Sequence, residues 1–262
     1  MSNETLAINQ LFTVKGKTAV VTGGSRGIGL MIARGYIQNG AKVYISSRKA
    51  DVCDAVAAEL SKDGECISIP ADLSNKPGWE TLVNAVKEQE DSIDILVNNA
   101  GAVWAEPFDD FPESGYDRTL DINLKGIYFL TQMFLPLLEK NHTRDDPARV
   151  INIGSIDGIK VPSMDNFPYG PSKAAVHHLT KVLAVRLAPR GIAVNAIAPG
   201  PFESKMMEWS LENFKDRIEA NCPLGRIGAP EDMAALAIFL ASPGASYLNG
   251  TVIPLDGGIC VT

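Results

Sequence analysis

The sequence predicts an α/β fold in which a doubly wound parallel sheet of about seven strands is flanked by helices. Short β-branched runs alternate with longer helical patterns, a glycine-rich turn follows the first run, and 45% of the 262 residues are hydrophobic. Chains of this length and class commonly form one domain with a sizeable core. We therefore expect residues 1–262 to form a single domain.

The predicted strands are short runs rich in β-branched residues, which are typical of buried parallel strands. They lie at residues 18–21, 42–45, 67–69, 93–97, 150–153, 192–197 and 251–253. The predicted helices lie at residues 27–39, 51–61, 79–88, 116–140, 169–188 and 230–241. This alternation implies right-handed crossovers, and ligands bind such sheets beyond the carboxyl ends of the strands.

Residues 200–228 depart from this pattern because they mix apolar side chains, such as Met206, Trp209 and Phe214, with charges. We interpret the segment as a mobile helical lid over a substrate. The alternative is that these side chains pack a short helical excursion onto the core, and the sequence leaves both interpretations open.

Charge and composition exclude several classes of function. The net charge of -7 disfavours a nucleic-acid partner. No apolar run approaches the roughly 18 residues of a membrane span, and no secretory segment is recognised before Lys17. The four cysteines lack metal-ligand spacing. We expect a cytoplasmic protein with reduced thiols, no metal and no membrane partner.

A glycine-rich turn follows the first predicted strand, where the chain reads Thr22-Gly-Gly-Ser-Arg-Gly-Ile-Gly29 and then enters a helix. Glycines permit a sharp turn and let backbone amides approach a pyrophosphate, which the helix N-terminus then faces. The alternative is a glycine-rich connector without a ligand. We predict a dinucleotide site whose residues here are Gly23, Ser25, Arg26, Gly27, Ile28 and Gly29.

The end of the second predicted strand bears on the choice of dinucleotide. An acidic residue there would bind the ribose hydroxyls of NAD, but the chain reads Ser47-Arg48. Arg48 and Arg26 are predicted to converge on a 2′-phosphate, which guanidinium groups bind bidentately. The sequence therefore favours NADP(H), although either arginine alone is also compatible with a solvated surface charge.

A tyrosine and a lysine four positions apart carry the predicted chemistry, in Tyr169-Gly-Pro-Ser-Lys173. At the start of a helix both side chains share one face. A neighbouring cation lowers the pKa of a phenol from its ordinary value of about 10. Such a tyrosine can exchange a proton with an alcohol or a ketone, although the spacing alone also occurs on ordinary helix surfaces.

With Asn98-Asn-Ala-Gly101 and Ile151-Asn-Ile-Gly-Ser155, these motifs resemble the short-chain dehydrogenase/reductase family over residues 15–258. Within it, residues 169–175 and 252–258 are most similar to the 3-oxoacyl reductase group, particularly the rhamnolipid-pathway type. The resemblance implies a Rossmann-like fold and an NADP-dependent oxidoreductase acting on a small-molecule carbonyl substrate.

The resemblance also implies roles for four residues. Tyr169 would donate a proton to the substrate oxygen as hydride arrives from the nicotinamide. Lys173 would lower the pKa of Tyr169 and hold the nicotinamide ribose. Ser155 would hydrogen-bond the carbonyl, and Asn123 would hold a water that relays protons. As alternatives, Ser155 caps the turn after its strand and Asn123 bonds a backbone carbonyl.

Further cofactor contacts follow from the same resemblance. Asp72 and Leu73 would contact the adenine, Asn99 would lie beside its ribose, and Phe202 would contact the cofactor. Asp72 as a helix cap and Asn98 as a stabiliser of the sheet remain alternatives. By contrast, His177 and His178 are expected at the helix surface or at an interface, about two turns beyond Tyr169.

The sequence ranks the candidate substrate classes but does not identify one substrate. The leading hypothesis is an NADPH-dependent reductase of a 3-oxoacyl thioester or a related ketone, with an apolar pocket lined by Trp104, Met164, Phe167 and Phe202. A sugar or polyol dehydrogenase of the gluconate type is the alternative, in which Lys160 or Lys205 meets a carboxylate. A catalytically silent NADPH sensor is a third hypothesis, which the intact set of reactive residues disfavours.

The family resemblance further implies a homotetramer assembled through the helices predicted at residues 116–140 and 169–188 and through the last strand. Apolar residues such as Ile127, Leu130 and Phe134 are compatible with such an interface. A stripe facing the chain's own core would produce the same pattern.

Overall fold

A computed structural model describes residues 6–162 and 164–262 of the chain. Its strands are β1 (Thr18–Thr22), β2 (Lys42–Ser46), β3 (Cys66–Ser68), β4 (Ile95–Asn98), β5 (Ala148–Ile153), β6 (Ile192–Pro199) and β7 (Val252–Leu255). They form one parallel sheet in the order β3-β2-β1-β4-β5-β6-β7, which confirms the predicted fold class. The strand order reverses between β1 and β4, where doubly wound sheets open a crevice for ligands.

The helices form a layer on each face of this sheet. They are α1 (Ile8–Leu11), α2 (Gly27–Gln38), α3 (Ala50–Leu60), α4 (Lys76–Lys87), α5 (Glu113–Leu120), α6 (Gly126–Leu138), α7 (Tyr169–Leu187), α8 (Glu208–Ala220) and α9 (Pro230–Ala241). Helices α2, α3 and α9 enclose one apolar core, whereas α4, α6 and α7 enclose the other. Within the described residues, no helix is both long and apolar enough to cross a membrane.

The long helix predicted at residues 116–140 is interrupted. A π-helical turn at Asp121–Lys125 separates α5 from α6. Such a turn adds a residue to the local hydrogen-bonded ring, and it is frequent at functional sites. The hydrophobic period over this stretch does not reveal the interruption, because the backbone is right-handed helical at both ends of the turn.

The apolar stripe that was considered for an oligomer interface lies in the core of the chain itself. Ile127, Leu130 and Phe134 on α6 are all buried. Leu130 and Phe134 belong to the apolar cluster that also contains residues of α4 and α7. The structure therefore assigns this stripe to the folding of the chain, which is the alternative left open by the sequence.

A buried polar network fixes two helices to the middle of the sheet. The amide of Asn98, at the end of β4, donates to Thr131 on α6 over 3.1 Å and to Asn152 on β5 over 2.9 Å. Asn152 in turn donates to Thr180 on α7 over 2.9 Å. Since buried polar groups are costly when unpaired, this network favours one placement of α6 and α7 on the sheet. Asn98 thus stabilises the sheet, as its alternative assignment proposed.

The core around β4 offers a test of these packing assignments. Leu96 is fully buried, so Leu96→Ala should lower the free energy of unfolding by about 2–5 kcal/mol, as expected for a leucine that leaves a cavity. Urea denaturation measures this change. The matched control is Leu224→Ala, because Leu224 is largely exposed, and a loss below about 0.5 kcal/mol is expected there. Equal losses in the two variants would contradict the assignment.

Candidate active site

Three predicted catalytic residues meet at the carboxyl end of β5. Ser155 follows the strand after one glycine, and α7 begins with Tyr169 and carries Lys173 one turn later. Helix α7 can begin here because Pro171 lies in its first turn, where a missing N–H loses no partner. The sheet edge and the helix start therefore bring together side chains that are 14 positions apart in the sequence.

The ammonium group of Lys173 is buried at the carboxyl end of β5. The side chain is 4% exposed, and its Nζ donates to the backbone oxygen of Ile153 over 2.8 Å. The same nitrogen lies 5.6 Å from the centre of the Tyr169 ring. Burial lowers the pKa of Lys173 to about 8, against an opposing effect of Asp157. The lysine thus keeps its charge at neutral pH but holds it less firmly than an exposed lysine.

The pKa of Tyr169 does not follow the prediction. Burial, together with the charge of Asp157, raises it to about 12, and hydrogen bonding with Ser155 acts in the lowering direction. The expected lowering of this pKa is therefore wrong for this structure, because desolvation of the phenolate sets the direction of the shift. At neutral pH Tyr169 is an uncharged phenol, which is the form that donates a proton.

Ser155 has the capping role that was considered as its alternative. Its Oγ accepts a hydrogen bond from the backbone N–H of Asp157 over 3.1 Å, and so caps a short 3₁₀ turn at Ile156–Gly158. It also hydrogen-bonds with Tyr169, which places the hydroxyl beside the phenol. The cap fixes the orientation of the group that would contact a substrate oxygen.

Asn123 lies in the π-helical turn and is fully buried. Its Oδ1 accepts from the N–H of Ala102 over 2.8 Å, and its Nδ2 donates to the oxygen of Ala102 and to Ser172 Oγ, each over 3.0 Å. Both amide hydrogens are therefore used within the protein. This is the backbone bonding considered as the alternative. Neither amide hydrogen of Asn123 is free to bind the predicted relay water, which would therefore have to donate to an oxygen.

Asp157 was missed by the sequence prediction. Its charge acts on both Tyr169 and Lys173, and burial raises its own pKa. A hydrogen bond with Asn166 acts against that rise. The signal available in the sequence was an acidic residue two positions after Ser155, in a loop that must face the site.

The glycine-rich turn has the backbone geometry of an anion cradle. Gly23 and Gly27 have φ of +67° and +51°, which favour glycine, and a Cβ at Gly29 would come within 2.5 Å of Asn99 Nδ2. Helix α2 then begins without a side-chain cap. Its first N–H groups are free to point at an anion, so the residues present fit a dinucleotide pyrophosphate.

Hydrogen bonds attach this turn to its neighbours. The N–H of Gly23 donates to the oxygen of Ser46 at the end of β2 over 2.8 Å. Asn99 donates from its backbone N–H to Thr22 Oγ1 and from Nδ2 to the oxygen of Thr22, each over 2.8 Å. Asn99 therefore also holds the turn, beyond its predicted place beside a ribose. Thr22 is a supporting residue that the sequence prediction missed.

The other predicted cofactor residues of the turn differ in exposure. Ser25 is buried and Ile28 packs against the core, so the side chains of both residues support the turn from the protein interior. Arg26 and Arg48 are exposed, and within the described chain neither guanidinium has a hydrogen-bond or ion-pair partner. Two unpaired cations near the ends of the turn and of β2 fit a phosphate.

Asp72 and Leu73 follow the carboxyl end of β3. Asp72 is exposed and accepts from the N–H of Ser74 over 3.1 Å, whereas Asn75 caps the following helix, so the capping alternative for Asp72 is wrong. Leu73 is buried, and its backbone oxygen accepts from Trp79 over 2.7 Å. The carboxylate of Asp72 is thus exposed to solvent, whereas the side chain of Leu73 packs into the core.

Phe202 and His177 are both buried. The ring of Phe202 is 2% exposed and packs against Gly228, so a cofactor contact by Phe202 would have to come from its backbone. His177 was expected at the surface or an interface but is buried, since the loop after β5 covers it. His178 is exposed, in agreement with the prediction.

The chain is similar to known proteins over nearly all of its length. A family model described as Enoyl-(Acyl carrier protein) reductase matches residues 23–260. The chain is 46% identical over 250 residues to the rhamnolipids biosynthesis 3-oxoacyl-[acyl-carrier-protein] reductase of Pseudomonas aeruginosa, covering 94% of this chain and 97% of that protein. It is 32% identical over 255 residues to gluconate 5-dehydrogenase of Gluconobacter oxydans, covering 96% and 98%.

A solved structure extends this similarity to three dimensions. The Pseudomonas aeruginosa RhlG/NADP active-site complex matches with a TM-score of 0.92 and 45% sequence identity. The match covers 95% of this chain and 98% of that chain. The similarity therefore includes the sheet, both helix layers and the segments around the site.

The buried ammonium should reduce stability in a pH-dependent way. The pKa of Lys173 is about 8 in the folded state against 10.5 for a free lysine, so stability should rise as the pH rises through this window. Each pKa unit corresponds to about 1.4 kcal/mol, so Lys173→Met should gain about 1–3 kcal/mol near pH 7. The gain should shrink near pH 10. Urea denaturation at both pH values measures it.

The matched control is Lys181→Met on the exposed side of the same helix, where no pH-dependent gain is expected. A gain at Lys173 that stays the same from near pH 7 to near pH 10 would contradict the burial of a charged ammonium.

Proposed function

Because the chain belongs to the short-chain dehydrogenase/reductase family, we propose that it reduces a 3-oxoacyl thioester or a related ketone with NADPH. The observation that carries this proposal is the group formed by Ser155, Tyr169 and Lys173 at the end of β5. A sensor that only binds a dinucleotide has no need for a proton donor placed in this way.

The chain's residues would act on the substrate oxygen. Bound NADPH supplies the hydride that adds to the carbonyl carbon. Ser155 would donate a hydrogen bond to the carbonyl oxygen and fix its position. The uncharged phenol of Tyr169 would give its proton to that oxygen as negative charge develops there, which yields the alcohol. Lys173 would stabilise the phenolate that remains.

The surroundings of the site favour an acyl substrate over a sugar acid. Phe167, two positions before Tyr169, stacks edge-on with Phe108 and Phe111 at ring distances of 5.2 and 6.0 Å. Phe108 and Phe167 remain exposed, which offers apolar surface to a chain or a ring. The two cations considered for a sugar carboxylate are both engaged.

Lys160 and Lys205 both make direct contacts within the chain. Lys160 Nζ donates to the backbone oxygen of Ile259 over 3.1 Å, and Lys205 Nζ lies 3.6 Å from a carboxylate oxygen of Glu208. A gluconate-type substrate stays the alternative because of the similarity to gluconate 5-dehydrogenase. Such a substrate would use a further N–H of Lys160 or Lys205, since an ammonium group has three.

For the cofactor, we propose NADP(H). The RhlG complex, which is similar over most of its length, contains NADP. In this chain, the glycine turn and the free N-terminus of α2 would hold the pyrophosphate, and Arg26 and Arg48 would hold the 2′-phosphate. The exposed carboxylate of Asp72 would contact the adenine side of the cofactor.

We further propose that residues 1–262 form one domain and that 200–228 act as a lid. Strands from both halves of the chain belong to the same sheet, which supports a single domain. Helix α8 deviates from helical geometry at Phe214. Trp209 is 60% exposed and Met206 is exposed as well, which supports a surface that closes on a substrate more than packing onto the core.

We also propose a cytoplasmic homotetramer. Tyr128 on α6 and Val182 and Val185 on α7 are exposed apolar side chains, and such surface favours association between copies. The four cysteines are free thiols, which fits a reducing compartment. Light scattering on the purified protein measures the number of subunits.

Oxidation of NADPH and NADH, followed by absorbance, tests the proposed reaction. The panel contains a 3-oxoacyl thioester, a 3-oxo ester, 5-ketogluconate and a bulky cyclic ketone. We expect turnover with the thioester and NADPH. Turnover with 5-ketogluconate alone would favour the sugar-acid alternative, and tight NADPH binding without any turnover would favour the sensor.

Tyr169→Phe removes the proposed proton donor and keeps the ring. We expect kcat to fall by about 10²–10⁴-fold, which is the usual contribution of a general acid, while NADPH affinity changes little. Steady-state rates and fluorescence titration measure the two quantities. Tyr247→Phe, at a fully exposed tyrosine, is the control that should retain the parental rate. An unchanged kcat for Tyr169→Phe would remove Tyr169 as the acid.

Arg48→Asp places an acidic residue at the end of β2. Loss of a charge-assisted hydrogen bond of about 1.5–3 kcal/mol should weaken NADPH binding by about 10–100-fold, and NADH should be favoured relative to it. Titration with both cofactors measures the ratio. Arg34→Asp makes the same charge change on α2, where Arg34 pairs with Glu59, and should leave the ratio unchanged. An unaltered ratio in Arg48→Asp would mean that the phosphate is recognised elsewhere.

A further inference from the structure

The side chain of His177 occupies the space beneath the loop that carries Ser155. His177 lies on α7, one turn beyond Lys173, and is 7% exposed. A Cβ at Gly154 would overlap with its Nε2, and a Cβ at Gly158 would lie 2.8 Å from its Cε1. Glycines at both ends of the loop therefore make room for one imidazole ring.

Polar contacts join the ring and the loop to their neighbours. The backbone carbonyl of Gly158 is the acceptor beside the imidazole, and this contact acts to raise the pKa of the ring. On the other side, the N–H of Gly154 donates to the oxygen of Ile197 on β6 over 2.7 Å. The loop is thus held between the sheet and the ring, and Ser155 and Asp157 lie between these two attachments.

The ring is poorly suited to ordinary core packing. Its Nε2 is buried and has no hydrogen-bond partner among the described residues. Burial and the charge of Lys173 lower the pKa of His177, so the ring is uncharged at neutral pH. An apolar residue would fill this space without leaving a polar atom unpaired, so the imidazole has a stability cost that its contact with Gly158 offsets in part.

We propose that His177 is a positioning residue, whose ring fixes the loop carrying Ser155 against the helix carrying Tyr169. It is too far along α7 to contact the reacting atoms, since eight residues of helix span about 12 Å. By holding this loop, it sets the distance between the Ser155 hydroxyl and the Tyr169 phenol. The role rests on the proposed reductase function, in which both groups bind one substrate oxygen.

Variants at His177 test this role on the full-length enzyme. His177→Ala should lower kcat by about 10–100-fold, as expected when a catalytic group shifts by about 1 Å, while the Kd for NADPH stays within about 3-fold. His177→Asn keeps an N–H donor near the position of Nδ1 and should recover part of kcat. His178→Ala, at the exposed neighbour, is the control and should match the parent.

Hydrogen–deuterium exchange provides a readout that does not depend on activity. The amides of residues 155–158 should exchange faster in His177→Ala than in the parent or in His178→Ala. If His177→Ala does not fold, the same comparison is made with His177→Asn. Unchanged kcat, unchanged exchange in this segment, or an equal loss of NADPH binding and kcat would overturn the proposal. If the parent reduces nothing in the panel, the proposed function fails, and the exchange result still decides whether His177 holds the loop.

Discussion

The placement of the Lys173 ammonium is the constraint on which the rest of the site depends. A buried cation needs a partner, and Lys173 finds it in the backbone oxygen of Ile153 at the end of β5. This contact fixes the start of α7 against the central sheet. Tyr169, one turn earlier on the same helix, is thereby placed beside Ser155. The polar network of Asn98, Asn152 and Thr180 holds the same helix further along.

The site also illustrates a balance between stability and chemistry. Burial lowers the pKa of Lys173 and raises that of Tyr169, so at neutral pH the lysine keeps its charge less firmly than in water and the tyrosine is uncharged. An uncharged phenol above a buried cation is poised to lose its proton when negative charge develops on a nearby oxygen.

The sequence predicted the sheet and the main site residues because both depend on local patterns. Buried parallel strands read as β-branched runs, and the glycine turn and the Tyr169–Lys173 spacing are short motifs. The π-helical turn, the burial of His177 and the influence of Asp157 on Tyr169 depend on contacts between distant segments. No local pattern encodes them, and the direction of the Tyr169 pKa shift was predicted wrongly for the same reason.

Transfer of deuterium tests the central claim, that this chain is a carbonyl reductase, most directly. The enzyme is incubated with the 3-oxoacyl thioester and NADPH that is deuterated at the transferable position, and the alcohol is analysed by mass spectrometry. The account predicts one deuterium on the carbon that bears the new hydroxyl group. An alcohol without deuterium, or no alcohol while NADPH remains bound, would contradict it.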